Sequence, residues 1–169
     1  AGFNCIQCPA NPRGGGLRNV FGNTYAQTEL AARRLTSGEE TWTGVLNRHI
    51  ALGGNLRADA TWNRVPNQGD SNQFEVAEGR LLLDAAIIPE RLSVYVDERL
   101  APGNADNLEA NLRLWVQPGR LYLKAGRFYL PFGWRLEDDN AFVRQASGIN
   151  MQAPDRGLEI GLETGPWRK

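Results

Sequence analysis

The sequence lacks any long apolar run. Its most hydrophobic stretch, LLLDAAII at residues 81–88, is too short for a membrane-spanning helix and carries Asp84 in its middle. This excludes a helical membrane protein. It does not exclude a membrane β-barrel, because only one side of each barrel strand faces lipid and the average hydropathy stays low.

The chain also lacks net charge and any arrangement typical of an enzyme. Lys plus Arg and Asp plus Glu both number 19, which gives no reason to expect nucleic acid as a partner. The single histidine, His49, has no nucleophile nearby in the sequence, and GGG at 14–16 lacks the Lys and Ser/Thr of a phosphate loop. We therefore expect a protein that is not an enzyme and that carries neither a metal nor a cofactor.

Only two cysteines are present, Cys5 and Cys8, in one C-x-x-C pair. Pro9 stands where covalent haem attachment requires histidine, so the pair predicts a local disulfide, with a redox-linked role as the alternative. A disulfide suits an exported protein. The start on Ala1-Gly2-Phe3 is typical of cleavage at a small-residue site, although a cloning scar gives the same start.

From residue 49 onward the sequence alternates between apolar and polar residues. Period-two alternation predicts half-buried β-strands, and it recurs in six segments: 49–62, 77–87, 91–100, 107–116, 120–134 and 158–164. Residues 1–48 have no steady period, and within them 24–35 predicts either a short helix capped by Thr24 or an irregular strand. We therefore divide the chain into an irregular N-terminal segment, 1–48, and β-hairpins over 49–169.

The connections between these segments alternate in length. Tight connections at 88–91, 117–120 and 164–167 alternate with longer ones at 63–73, 100–106 and 131–157. This pattern predicts an all-β, antiparallel up-and-down meander with tight turns on one rim and longer loops on the other. Outer-membrane barrels have that asymmetry, so the meander is expected to be part or all of such a barrel.

The alternation separates an apolar face rich in leucine from a wall of mixed charge. Such a wall suits a water-filled barrel, where it lines the pore, or the exposed face of a soluble sheet; segments long enough to span a bilayer favour the barrel. The candidate pore-lining residues are Arg57, Asp59, Glu78, Arg80, Asp84, Asp97, Arg99, Glu109, Arg113, Lys124, Glu159 and Glu163. Six strands are too few to close a membrane barrel, and the final residues, GPWRK, follow a tight turn directly. We therefore expect the 169 residues to be the N-terminal part of a larger barrel, or the barrel to be completed by other chains.

The segment LYLKAGRFYLPFGW, residues 121–134, and the hairpins before it resemble the phosphate-selective porin O/P family of outer-membrane channels. The resemblance covers roughly residues 75–165. It implies a many-stranded trimeric porin, in which arginines and a lysine cluster provide phosphate selectivity. The wall predicted here is mixed in sign rather than basic.

The long connection 131–157 carries an acidic cluster. In porins a long loop can fold inward and constrict the pore, which makes Arg135, Glu137, Asp138 and Asp139 candidates for a constriction loop. Clustered carboxylates could instead bind Ca²⁺, or the cluster could be a solvated loop.

Together these features predict an outer-membrane, porin-like channel for passive diffusion of small polar solutes or ions. We expect the barrel to lie in the lipid bilayer of the outer membrane, with the N-terminal segment in the periplasm. We also expect it to form a homo-oligomer or a complex with other envelope proteins. One alternative is a structural barrel that holds another envelope protein, such as a multihaem cytochrome. A second alternative is a soluble β-rich binding module.

Overall fold

A computed structural model of the chain describes residues 8, 10, 16–31, 39–65, 69–130, 146 and 154–162. Within these residues, seven strands form one antiparallel sheet in which each strand pairs with the next along the chain. The strands are β1 (Val45–Asn47), β2 (Ile50–Val65), β3 (Gly69–Ile88), β4 (Leu92–Ala101), β5 (Asp106–Gln117), β6 (Leu121–Phe128) and β7 (Asp155–Leu162). The predicted all-β antiparallel meander is confirmed.

The register of the sheet keeps the leucine-rich positions of neighbouring strands on one face. Leu83 pairs with Val96, and Val94 pairs with Leu112. Directly paired residues share a face, and so do residues two apart on one strand. Leu83 and Leu112 therefore lie on the same side of the sheet, as the alternation predicts.

The hairpin of β2 and β3 is longer than predicted. Residues 63–65 and 69–73, read from the sequence as part of a long loop, continue the ladder as far as the pair Val65–Gly69. The stretch reads as a loop because it is polar, but its exposed polar side chains pair across the hairpin, as Arg64 and Asp70 do at 3.1 Å. The prediction of a loop at 63–73 is wrong.

The regular alternation of long and short connections is likewise not observed between the first six strands. The gaps between consecutive strands from β1 to β6 are 48–49, 66–68, 89–91, 102–105 and 118–120, all of similar length, and only the connection 129–154 is long. The rims nevertheless differ, because β3 runs past the end of β4: the last pair between them is Gly79–Ala101, so residues 69–78 project beyond β4. The difference between the two rims therefore comes from the extended β2–β3 hairpin and not from irregular loops.

A β-bulge moves one leucine off the expected face. Asp97 pairs with Glu109 and Glu98 pairs with Asn107, so Leu108 is the extra residue on β5. A bulge reverses the direction of the side chains that follow it. Leu108 is 4% exposed, whereas Leu112 on the same strand is 40% exposed. The period-two alternation of 107–116 predicts that Leu108 lies on the same face as Leu112 and Leu114, and for Leu108 this prediction is wrong.

The N-terminal segment contains a short helix that begins earlier than predicted. The α-helix α1 (Val20–Tyr25) continues directly into a π-helical turn, Ala26–Leu30. Its cap is Asn19, whose side chain accepts a 2.8 Å hydrogen bond from the Gly22 N–H, and not Thr24. Asparagine is among the preferred N-cap residues because its side-chain oxygen satisfies a free backbone N–H in the first turn.

The sheet is open in the described part of the chain, since β1 pairs only with β2 and β7 pairs only with β6. No helix among the described residues is long and apolar enough to cross a membrane.

Candidate functional site: the polar face of the sheet

The two faces of the sheet have the reverse of the burial found in a soluble protein. We call the side that carries Arg80, Asp97, Arg113, Lys124 and Glu159 the polar face. Ionised groups are costly to bury unless they are paired, yet this face holds the least exposed charged residues in the described part of the chain. Among the described residues, those with less than a tenth of their surface exposed are Arg80, Asp97, Glu109, Lys124 and Glu159.

The opposite side, the apolar face, is open. Leu114, Leu123 and Ile160 form a row across β5, β6 and β7 and keep between 40% and 74% of their surface exposed. Each is followed or preceded in the chain by a member of the polar face. Apolar patches as extended as this one mark a contact with a membrane or with another protein, because they are unfavourable in water.

Arg80 and Asp97 form a two-armed ion pair in the centre of the polar face. The Arg80 Nε donates to Asp97 Oδ1 at 3.1 Å and its Nη2 donates to Asp97 Oδ2 at 2.5 Å. Glu78 adds a weaker contact, with its Oε1 3.5 Å from Arg80 Nη1. The planar guanidinium matches a carboxylate in this two-armed geometry, so the pair links β3 to β4 and neutralises both charges.

Lys124 and Glu159 form a second pair, between β6 and β7. Lys124 Nζ lies 2.7 Å from Glu159 Oε2, and the Tyr122 hydroxyl donates to Glu159 Oε1 at 2.6 Å. Lys124 Nζ also lies 4.1 Å from the centre of the Phe128 ring, a favourable cation–π distance. The ring of Tyr122 covers Gly161 so closely that a Cβ at this position would collide with it.

Further polar groups extend this face along β4 and β5. Arg99 Nη2 lies 3.3 Å from Asp106 Oδ2, and Glu109 Oε1 accepts from the Tyr129 N–H at 3.3 Å. Arg113 lies beside Lys124 in the register, with its guanidinium carbon 5.8 Å from the centre of the Tyr122 ring. Its Nε has no hydrogen-bond partner among the described residues. Asp84 is half-buried opposite Tyr95.

Two predicted wall residues stand apart from the others. Arg57 and Asp59 lie on the polar side of the projecting hairpin, 4.0 Å from one another and largely exposed. An exposed pair of this kind contributes little to stability. Several other predicted site residues lie outside the described residues: Glu163, the constriction-loop candidates Arg135, Glu137, Asp138 and Asp139, and Cys5.

Cys8 is a half-buried free thiol in this structure. The predicted disulfide between Cys5 and Cys8 is therefore not observed here and stays a prediction. In the described part of the chain, no group of three or more His, Cys, Asp or Glu side chains is placed to hold a metal ion.

The N-terminal segment packs on the polar face. Leu17 is 3% exposed and forms a cluster with Leu82 and Tyr95, both on the polar side of the sheet. Its backbone N–H donates to the Tyr95 hydroxyl at 3.2 Å. Gly53 provides the space for this contact, because a Cβ there would lie 2.6 Å from Leu17 Cδ1. The segment is thus attached to the charged side of the sheet and not to the leucine side.

Comparison of the chain with family models, with curated proteins and with solved structures finds no match.

Sequence reasoning missed the partners that connect the charged groups. Tyr122 bonds to Glu159, Asp106 pairs with Arg99, and Gly161 leaves space for the Tyr122 ring. Only the alternation along the strands signals which way these residues point. Leu17 and Gly53 carry no local signal at all, since their contact joins segments with no periodicity in common. Such contacts depend on tertiary structure, which a single sequence pattern does not encode.

Proposed function

We propose that the chain is part of an outer-membrane β-barrel whose apolar face contacts lipid and whose polar face lines a water-filled lumen for small polar solutes or ions. The observation that carries the proposal is the reversed burial along one row of the sheet. Leu114, Leu123 and Ile160 are exposed there, while the neighbouring Lys124 and Glu159 are buried as an ion pair. A soluble sheet would bury its leucines.

The dimensions of the apolar face support a membrane. It continues onto the projecting hairpin, where Ala60 pairs with Phe74 and Ala58 pairs with Val76. From Phe74 to Ile87 the strand covers about 43 Å at about 3.3 Å per residue. A tilt of about 45° reduces this to about 30 Å across the membrane, the thickness of the hydrocarbon core.

Aromatic residues mark one end of this band. Trp62 and Phe74 lie at the far end of the hairpin on the apolar side, and each keeps 74% of its surface exposed. The next outward pair toward the tip is the ion pair of Arg64 and Asp70. Aromatic side chains followed by charge are typical of the boundary between hydrocarbon and headgroups.

The open edges of the sheet require further strands in this setting. Unpaired backbone N–H and C=O groups are not tolerated in hydrocarbon, and single-chain membrane barrels begin at about eight strands. The free edges of β1 and β7 would therefore be paired by additional strands of the same polypeptide or by other copies. The trimer implied by the family resemblance remains a proposal of the same kind.

The experiment that tests the proposal expresses the complete gene product from its own start codon and separates the envelope of the cell. We expect the protein in the detergent-extracted outer-membrane fraction. Purified protein in liposomes should then admit small sugars and salts, measured by liposome swelling, while empty liposomes treated in parallel do not swell. Folded protein recovered from the soluble fraction without detergent would contradict the membrane location and favour a soluble β-rich module instead. Protein that inserts but admits no solute would contradict the channel.

A further inference from the structure

We propose that the N-terminal segment, residues 16–30, is a resident constriction of the lumen, held by a seat formed from Gly53, Leu82 and Tyr95. This inference rests on the proposed function, since a constriction has meaning only if the polar face lines a pore. It assigns the narrowing of the pore to a segment that the sequence analysis placed outside the barrel, in the periplasm.

The seat is specific in shape. Leu17 inserts above Gly53 and against Leu82, and a side chain at position 53 would displace Leu17, because its Cβ would lie 2.6 Å from Leu17 Cδ1. The Tyr95 hydroxyl accepts the Leu17 N–H at 3.2 Å, so the polar rim of the seat pairs with the backbone of the segment. An apolar side chain buried in this way on an otherwise charged surface indicates that the segment packs specifically against the sheet.

The rest of the segment is attached at a second place. The Asn23 side chain donates to the Thr43 carbonyl at 2.7 Å. The Gln27 amide makes two bonds with the Trp42 backbone, donating to its carbonyl at 2.7 Å and accepting from its N–H at 2.9 Å. These bonds tie the helical turns to the chain just before β1, so the segment is held at two separated points.

Cys8 is connected to the same segment. Its carbonyl accepts from the Asn19 N–H at 2.9 Å, and the Ala10 N–H donates to the Leu17 carbonyl at 2.8 Å. Gly22 approaches the Cys8 carbonyl so closely that a Cβ at position 22 would collide with it. These contacts make Cys8 move with the segment, and Ala10 packs against the cluster of Leu17, Leu82 and Tyr95. Release of Leu17 from its seat would therefore move the half-buried thiol away from the sheet, which makes Cys8 a reporter of docking.

The position of the seat along the strands places the segment well inside the pore. Leu82 lies six residues from the end of β3 at Ile88. Six residues correspond to about 20 Å along the strand, or about 14 Å along the barrel axis at a tilt of about 45°. The segment would thus lie near mid-height and would narrow the lumen there rather than cover its mouth.

The test releases the segment from both sides of the contact. Leu17→Glu places a charge in the seat, and Gly53→Leu fills the seat from the sheet. Leu30→Glu is the matched control, because it makes the same substitution in the same segment at a leucine that is 66% exposed. All variants are made in the complete protein with Cys5→Ser and with any cysteine outside these 169 residues replaced by serine, so that Cys8 is the thiol that reacts.

Two readouts are compared in planar bilayers and in proteoliposomes. We expect Leu17→Glu and Gly53→Leu to raise the single-channel conductance and to speed alkylation of Cys8 by a water-soluble maleimide about tenfold, which corresponds to about 1.4 kcal/mol of lost docking. Leu30→Glu should change neither. Unchanged alkylation in both seat variants would overturn the docking, and faster alkylation with unchanged conductance would overturn the constriction. An absence of conductance in every variant, with alkylation still responding, would instead contradict the channel function and with it the constriction.

Discussion

Lys124 Nζ lies 2.7 Å from Glu159 Oε2 across the β6–β7 ladder, with both side chains almost completely buried. The residues directly beside them in the chain, Leu123 and Ile160, are exposed on the other side. One row of the sheet thus contains a buried ion pair backed by exposed apolar side chains. A soluble sheet would pack its apolar face on a protein core and expose its charged face to water, which is the opposite of this arrangement.

Removing one member of that ion pair should be destabilising. Glu159→Gln leaves the Lys124 ammonium buried beside a neutral amide, and we expect a loss of about 3 kcal/mol in the free energy of unfolding. Urea unfolding of protein folded into liposomes measures the change. The double substitution Lys124→Met with Glu159→Gln, which removes the unpaired charge, should recover most of the loss. If the single variant were as stable as the wild type, the pair would not hold β6 to β7.

Because the Tyr122 ring lies directly over Gly161, the stability of the protein should be sensitive to a side chain added at position 161. Gly161→Val forces the Tyr122 ring out of its place over the glycine and disturbs its bond to Glu159, at a cost of about 2 kcal/mol. Gly157→Val is the control, because a Cβ at Gly157 meets only the Phe128 ring, at an ordinary 4.0 Å. Equal unfolding free energies for the two variants would contradict the packing described for Tyr122.

Adjacent residues on β5 should respond oppositely to a reversal of polarity. Leu112→Arg places a charge on the apolar face and should cost about 2–4 kcal/mol in a bilayer, with reduced insertion. Arg113→Leu, one residue further on, changes a polar-face side chain that forms no ion pair in the described part of the chain and should have a much milder effect. Insertion yield and unfolding free energy in liposomes measure both. If Arg113→Leu lost more insertion yield and more unfolding free energy than Leu112→Arg, the assignment of the two faces would be wrong.

The sequence predicts those features of the sheet that depend on residues close together in the chain, and it does not predict those that depend on pairing between strands. The alternation along β3, β4, β5 and β6 depends only on neighbours two residues apart. Away from the bulges it therefore predicts the strands and their faces correctly, as it does for Leu83 on β3 and Leu112 on β5. The extension of the hairpin beyond residue 62 was missed because exposed polar strands and loops have similar compositions. The bulge at Leu108 depends on the pairing with β4, which no local pattern records.

The site itself was readable only in part. Alternation identified Arg80, Asp97, Lys124 and Glu159 as members of one face, but not which of them pair, since the pairs depend on the register between strands. The docking of Leu17 against Gly53 was not foreseen at all. A contact between an aperiodic segment and a strand is decided by the shape of the folded surface.

The most direct test of the reversed faces measures what each face contacts. Spin labels are placed one at a time at consecutive positions of β5 and β6 in the complete protein in liposomes, and their collisions with oxygen, which concentrates in lipid, and with a water-soluble nickel complex are compared. We predict a period of two, with labels at 112, 114 and 123 meeting oxygen preferentially and labels at 113 and 124 meeting the nickel complex or neither. Equal access of the nickel complex to labels at 112 and 123 would contradict the account, because the leucine face would then lie in water.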